Sequence, residues 1–154
     1  MAVLRAATLV SRLEENRQVT LQNNLGDNKT RYDFDVRIEA DGSDGINAVK
    51  LFCYDLAVLT AQQNHEMAFI FHDSRLFSDI DPRQRAVLFQ TASSASSKDG
   101  LQYIATVNQD QLDALQSELS PKEVDELLGR TVLRLQDDGP ESKLLGVQVD
   151  MHYQ

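Results

Sequence analysis

Residues 67–74 read MAFIFHDS, and this short stretch decides the fold class. Met67 to Phe71 is an unbroken apolar run of strand length, ended abruptly by the polar groups of His72, Asp73 and Ser74. An apolar run without alternation suits a strand covered on both faces, as in the centre of a largely parallel sheet. A carboxylate at the C-terminal edge of such a strand stands where open α/β sheets bind their ligands. The plainer reading makes Asp73 a turn former, because aspartate is a common loop residue.

Working outward, a second buried strand is expected over Leu101 to Val107, and Thr106-Val107-Asn108-Gln109-Asp110 makes a polar switch at its end. Between the two strands, Asp81-Pro82 is a helix start, with Asp81 at the N-cap and proline at the first helical position. That helix runs through Arg85 to about Ala95, where Ser93, Ser94, Ser96, Ser97 and Gly100 roughen its end. Upstream, Gly42-Ser43-Asp44-Gly45 opens a helix over Ile46 to Gln63, apolar on several sides and therefore expected to be well buried. Further upstream lie two strand-like runs, Gln18 to Leu21 and Tyr32 to Ala40, the second alternating apolar Tyr32, Phe34, Val36 and Ile38 with charged neighbours. A turn through Asn24 to Asn28 would make them a hairpin. Val3, Ala7, Val10 and Leu13 repeat at helical intervals, marking a short N-terminal helix. Downstream come a short helix from Asp110 to Leu119 and a capping-box helix opened by Ser120-Pro121-Lys122-Glu123. Two closing strands, Thr131 to Gln136 and Leu144 to Met151, complete the pattern. The fold class is α/β: a mixed, mostly parallel sheet with flanking helices and an N-terminal β-hairpin.

Composition narrows the function. Of 154 residues, 42% are apolar and 25% charged, as in ordinary globular proteins. No apolar run approaches the roughly 20 residues of a membrane span, and residues 1–16 lack a signal peptide's apolar core. A cytoplasmic protein is expected. The lone Cys53 excludes an internal disulfide and a multi-thiolate zinc site. A net charge of −9 argues against nucleic-acid binding by this chain alone.

Three loops carry candidate chemistry: Gly42–Gly45 at a helix N-terminus, where backbone N–H groups favour an anion, Asp73 at a strand end, and Asn108 after the next strand. Each alone has a structural explanation in helix capping or turn formation. Their order is more specific, for it is the order of the second half of an ABC ATPase. Gly42-Ser43-Asp44-Gly45 resembles a divergent signature motif, with Ser43 and Gly45 at its serine and a glycine. Phe69 to Asp73 resembles a Walker B strand. Ser78-Asp79-Ile80-Asp81 resembles the D-loop, and Asn108 stands in the place of the switch histidine.

The strings GINAVKLFCYDL, HDSRLFSDIDPRQ and QYIATVNQD, with the closing KLLGVQVD, resemble a bacterial domain-of-unknown-function family. It forms the C-terminal end of large SMC-like coiled-coil ATPases, among them the ATPase of ABC-three-component anti-phage systems. The resemblance covers residues 16–152 and implies the C-terminal lobe of an SMC/ABC-type ATPase head over residues 16–154. Residues 1–15 then fit either the end of a coiled coil or a docking helix. It implies ATP and Mg2+ as cofactors, with Asp73, Ser74 and Asn108 at the catalytic positions, Asp73 also as metal ligand, and Ser43, Asp44, Gly45 and Asp81 at the nucleotide. It implies as partners an N-terminal P-loop lobe in cis or trans, a second ATPase head, and DNA through the full assembly. The implied role is DNA maintenance or phage defence.

Three positions depart from ordinary ABC enzymes. Ser74 stands where a catalytic glutamate would follow Asp73, and a hydroxyl is a poor general base. Asp44 replaces a signature glycine with a negative charge. Asn108 replaces the histidine and loses its titratable group. The sequence also contains no G-x-x-x-x-G-K-[ST] phosphate loop, so ATP hydrolysis is expected only with a P-loop lobe and not from the isolated chain. The alternative is a non-catalytic interaction module of the same fold. A hydrolase built on His72 and Asp73 is disfavoured, because neighbours on a strand face opposite sides.

Overall fold

The computed structural model describes residues 18–23, 32–37, 42–97, 100–136 and 138–147. The N-terminal helix, the hairpin turn and the last residues of the closing segment lie outside them. The described residues form a mixed α/β chain with four helices and two small sheets, one antiparallel and one parallel. They divide into two compact units, at Glu118 and Leu119.

In the first unit, β1 (Gln18–Asn23) and β2 (Tyr32–Arg37) pair antiparallel, with Gln18 opposite Arg37 and Asn23 opposite Tyr32. The expected hairpin strands are therefore present. Helix α1 (Asp44–Ala61) follows. It ends at Gln62, a non-glycine residue in the left-handed region at φ 50°. The Gln62 amide holds this turn by donating to the Leu59 and Met67 carbonyls, at 2.7 and 2.8 Å.

Strand β3 (Phe69–His72) is joined to β4 (Gln102–Ala105) by a crossover through a 3-10 turn (Ser74–Phe77) and helix α2 (Pro82–Ser96). The two strands are parallel, Phe69 opposite Gln102 and His72 opposite Ala105. Helix α2 starts as the sequence implies, with the Asp81 carboxylate accepting from the Arg83 N–H at 3.0 Å. Its serines do not break it. Ser96 Oγ donates to the Ala92 carbonyl one turn back and Ser97 Oγ to that of Ser94, which keeps these hydroxyls inside the helical pattern. Helix α3 (Gln109–Leu115) closes the unit.

The core gathers from one stripe of each element. Helix α1 contributes Phe52, Leu56 and Leu59, β3 Ile70, and the turn Phe77 and Ile80. Helix α2 adds Ala86, Leu88, Phe89, Ala92 and Ala95, and α3 adds Leu115. The rings of Phe77 and Phe89 meet at 4.9 Å. Alanines at alternate turns of α2 allow close approach without needing wide spacing between helix and sheet.

In the second unit, helix α4 (Pro121–Leu128) begins with the expected capping box. The Ser120 N–H donates to Glu123 Oε2 at 2.9 Å, and the Glu123 N–H returns to Ser120 Oγ at 3.4 Å.

Three expectations need correction. The Met67–Phe71 run is not covered on both faces: Ile70 and His72 are buried, but Phe69 and Phe71 are 55% and 52% exposed. Only two parallel strands are paired among the described residues. Helix α1 is buried along one stripe rather than several, with Leu51 and Tyr54 exposed, because only one of its faces meets the sheet and turn. The expected strand at 131–136 forms no ladder, and neither do residues 144–147. Val132 is 97% exposed and Leu133, Leu135, Leu144, Leu145 and Val147 are also exposed. A β-leaning sequence becomes a strand only when a neighbouring edge accepts its hydrogen bonds.

Candidate functional site

The site forms where β3 and β4 run out at the same edge. The parallel ladder continues one step past the end of β4, with the Thr106 N–H donating to the His72 carbonyl at 3.1 Å. This brings the Thr106 side chain beside residues 73 and 74. Its Oγ1 donates to Asp73 Oδ2 at 3.1 Å and accepts from the Ser74 N–H at 2.9 Å. Asp73 Oδ1 accepts from the Arg75 N–H at 3.1 Å, capping the 3-10 turn. The Arg75 N–H and then the Thr106 hydroxyl hold the Asp73 carboxyl below its ordinary value. Both bonds favour the ionised form, so the carboxylate stays charged at neutral pH and loses these contacts only as pH falls through its lowered pKa.

Ser74 and Asn108 are tied together by a residue that sequence reading missed. The buried Gln111 amide accepts from the Asn108 N–H through Oε1 at 3.2 Å and donates through Nε2 to the Ser74 carbonyl at 3.3 Å. The Asn108-x-x-Gln111 spacing is a capping-box signature and was legible as such. Arg85 was also missed. It is buried, and its guanidinium donates to the carbonyls of Phe77 and Ile80, both at 2.9 Å, and of Gln111 at 3.3 Å. The signal was a cation on the apolar stripe formed by positions 85, 88, 89, 92 and 95.

Behind the strand ends lies a buried polar link. His72 meets Tyr103 through Nδ1 and Asp55 through Nε2, both at 3.0 Å. The Phe52 ring packs on both His72 and Tyr103, with centroids 5.6 and 5.8 Å apart. Burial pushes the Tyr103 phenol up, so it remains a neutral hydroxyl. His72 therefore ties α1 to both strands and, facing inward, forms no pair with the exposed Asp73.

The structure places Gly45 against the Ser78–Asp81 loop. A Cβ at position 45 would overlap the Asp79 carbonyl oxygen and lie 3.2 Å from its carbon. Ser43 is the N-cap of α1, yet its side chain makes no capping hydrogen bond and is exposed. Asp44 sits exposed in the first turn, where a negative charge complements the helix dipole. Asp81 is engaged as the α2 cap, with Arg83 Nε also 3.4 Å away. The Arg83 N–H, first among its contacts, lowers its pKa.

Gly45→Ala is expected to destabilise the chain. Better helix propensity contributes about 1 kcal/mol, but overpacking against backbone costs about 1–3 kcal/mol. Urea unfolding should show a net loss of up to about 2 kcal/mol; a gain would mean that α1 does not seat on Asp79.

Among the described residues no cluster of three or more His, Cys, Asp or Glu side chains could hold a metal. A single exposed carboxylate fits magnesium that brings water and phosphate oxygens as the rest of its shell, rather than an all-protein cage. Asp73 is the exposed carboxylate at this edge that could serve in that way.

Taken together, these features define an α/β chain whose polar loops gather at the C-terminal edge of a parallel strand pair. The chain belongs to a family of uncharacterised proteins conserved in bacteria, DUF2326, which matches residues 8–149. No curated protein and no solved structure matches it. Among the described residues no helix is long and apolar enough to cross a membrane.

Proposed function

We propose that the chain is the C-terminal half of an SMC-like ABC ATPase head, which completes a nucleotide site together with an N-terminal P-loop lobe, in cis or in trans. The observation that carries this reading is the bare outer face of β3–β4, where Phe69, Phe71 and Ile104 are exposed beside the Asp73 edge. Parallel strands are ordinarily covered on both faces, so this pair calls for a second layer of chain. A lobe seated there would bring its phosphate loop to the edge occupied by Asp73, Ser74, Thr106 and Asn108. Magnesium, when bound with ATP, would neutralise phosphate charge during phosphoryl transfer.

Within that reading each residue has a part. Thr106 and the Arg75 N–H fix the Asp73 carboxylate in one orientation and keep it ionised. The α1 N-terminus presents to an anion its first-turn N–H groups and a Ser43 hydroxyl that makes no capping bond, and its place is set by Gly45 on Asp79. These would meet the phosphate held by a second head. Ser74 supplies no strong base, so turnover is slow or draws its base from elsewhere. That same absence, with Asp81 engaged in capping, favours the alternative of an interaction module that retains the fold without hydrolysis. DNA enters only through the full assembly, because a net charge of −9 repels a polyanion. DNA maintenance or phage defence follows from the resemblance alone.

Ser43→Arg tests the reading. In a protein carrying both lobes, the arginine would stand between the α1 N-terminus and the opposing phosphate, leaving the P-loop side untouched. With a non-hydrolysable ATP analogue, wild type should elute as paired heads in size-exclusion chromatography and the variant as single heads, with nucleotide affinity of one head nearly unchanged. Equal pairing would make Gly42–Gly45 a helix start only, and the interaction module would then be the better account.

A further inference from the structure

Arg85 is only 5% exposed, yet among the described residues no carboxylate pairs with it and its Nε has no partner. Burial accordingly pushes its pKa down, opposed by the more distant Asp110 and Asp81. A buried cation without a partnered anion is a costly way to fill a core, and an apolar side chain of similar length usually serves stability as well or better. What the guanidinium does supply is geometry. Its two outer nitrogens gather three backbone carbonyls, of Phe77, Ile80 and Gln111, which belong to two different segments.

Those two segments frame the site. Phe77 and Ile80 bracket the turn whose Asp79 carbonyl receives Gly45 of α1. Gln111 opens α3 and ties Asn108 to Ser74. We propose that Arg85, acting with Gln111, is the positioning residue of this site: it holds the Phe77–Asp81 turn and the Asn108–Gln111 turn at a fixed spacing around Asp73. It touches neither the candidate metal ligand nor Ser43. Its consequence for catalysis rests on the half-head reading; its consequence for the two turns does not.

The first measurement uses the full chain and needs no nucleotide. Arg85→Met should speed amide hydrogen exchange about tenfold or more at Ser78, Ile80 and Leu112, as two or more hydrogen bonds are lost. Exchange in α4, at Val124 and Gly129, should stay unchanged, and the thermal midpoint should hold or rise. Gln111→Met removes the second tie without disturbing the buried charge, so it should accelerate the Ser74 and Asn108 amides in the same way. This second variant keeps the question answerable if Arg85→Met does not fold. Unchanged exchange at these turns, or a uniform acceleration throughout the first unit, would overturn the proposal.

The second measurement uses a head with both lobes. Arg85→Met should lower kcat about 10²-fold, the effect of misplacing reacting groups by about 1 Å, while the KM for ATP stays within about threefold. Arg85→Lys, which keeps the charge but not the fork of donors, should recover only part of the rate. A purely structural arginine would leave kcat unchanged in the folded fraction, and that result would overturn the positioning role. Asp73→Asn serves as the control: if it keeps full turnover, the half-head reading fails, while the exchange measurements still judge Arg85.

Discussion

Replacing Asp73 with Asn in a head that carries both lobes should lower ATP turnover about 10²-fold or more and leave the fold of this chain intact. The two halves of this expectation have separate causes. Asp73 is exposed, so its removal opens no cavity. Asparagine keeps an oxygen to accept from the Arg75 N–H, and with it the cap of the 3-10 turn. What disappears is the charge, together with the second oxygen that accepts from the Thr106 hydroxyl. A magnesium ligand contributes several kcal/mol to stabilising the charge that develops on transferring phosphoryl groups, and the amide oxygen holds a hard cation far more weakly. Phosphate release measured with wild type and variant side by side, together with their circular dichroism spectra, checks both halves. Wild-type turnover in the variant would reduce Asp73 to a turn former and remove the Walker B resemblance from the argument.

Phe52→Ala should destabilise the first unit by about 3–5 kcal/mol, the range for truncating a fully buried aromatic side chain. Phe52 has no exposed surface and lies where α1, β3 and β4 meet, with its ring on His72 and Tyr103. The loss of its volume removes contacts from three elements at once. It also frees the surroundings of the Asp55–His72–Tyr103 link, whose hydrogen bonds depend on exclusion of water. Against a typical total stability of about 5–15 kcal/mol, such a loss is a large part of what holds the unit folded. Guanidinium unfolding followed by far-UV circular dichroism measures it. A midpoint close to wild type would mean that the α1–sheet contact contributes little to this core.

The site was legible in the sequence to different depths. Asp73 and Asn108 were visible because each breaks an apolar run at its end, and strand ends in an α/β order gather at one edge. Thr106 lay inside the same polar switch, but its bridge from Asp73 to Ser74 depends on parallel register, which no single strand declares. Gln111 could have been found from its capping-box spacing behind Asn108. Arg85 could have been noticed as a charge on an apolar stripe, though its three carbonyl partners come from segments 5 to 26 positions away. The Asp55–His72–Tyr103 link joins residues 17 and 31 positions apart, and nothing local announces it.

By itself the sequence determined the elements and their order: the hairpin strands, the starts of α1, α2 and α4, and the parallel pair around the α2 crossover. These follow from local causes, namely alternation, caps, proline at a first turn and unbroken apolar runs, which act within a few residues. Tertiary structure decided which apolar faces are covered. The Met67–Phe71 run reads as a strand buried on both sides, but Phe69 and Phe71 remain exposed, because an apolar run sets a strand and not the layer that would cover its second face. The same holds for residues 131–136, whose β-leaning composition forms no ladder without an edge to pair with. Only the folded chain also revealed why position 45 is glycine. The helix dipole accounts for a polar start to α1, but the Asp79 carbonyl leaves no room there for a Cβ, and that neighbour lies more than thirty residues away along the chain.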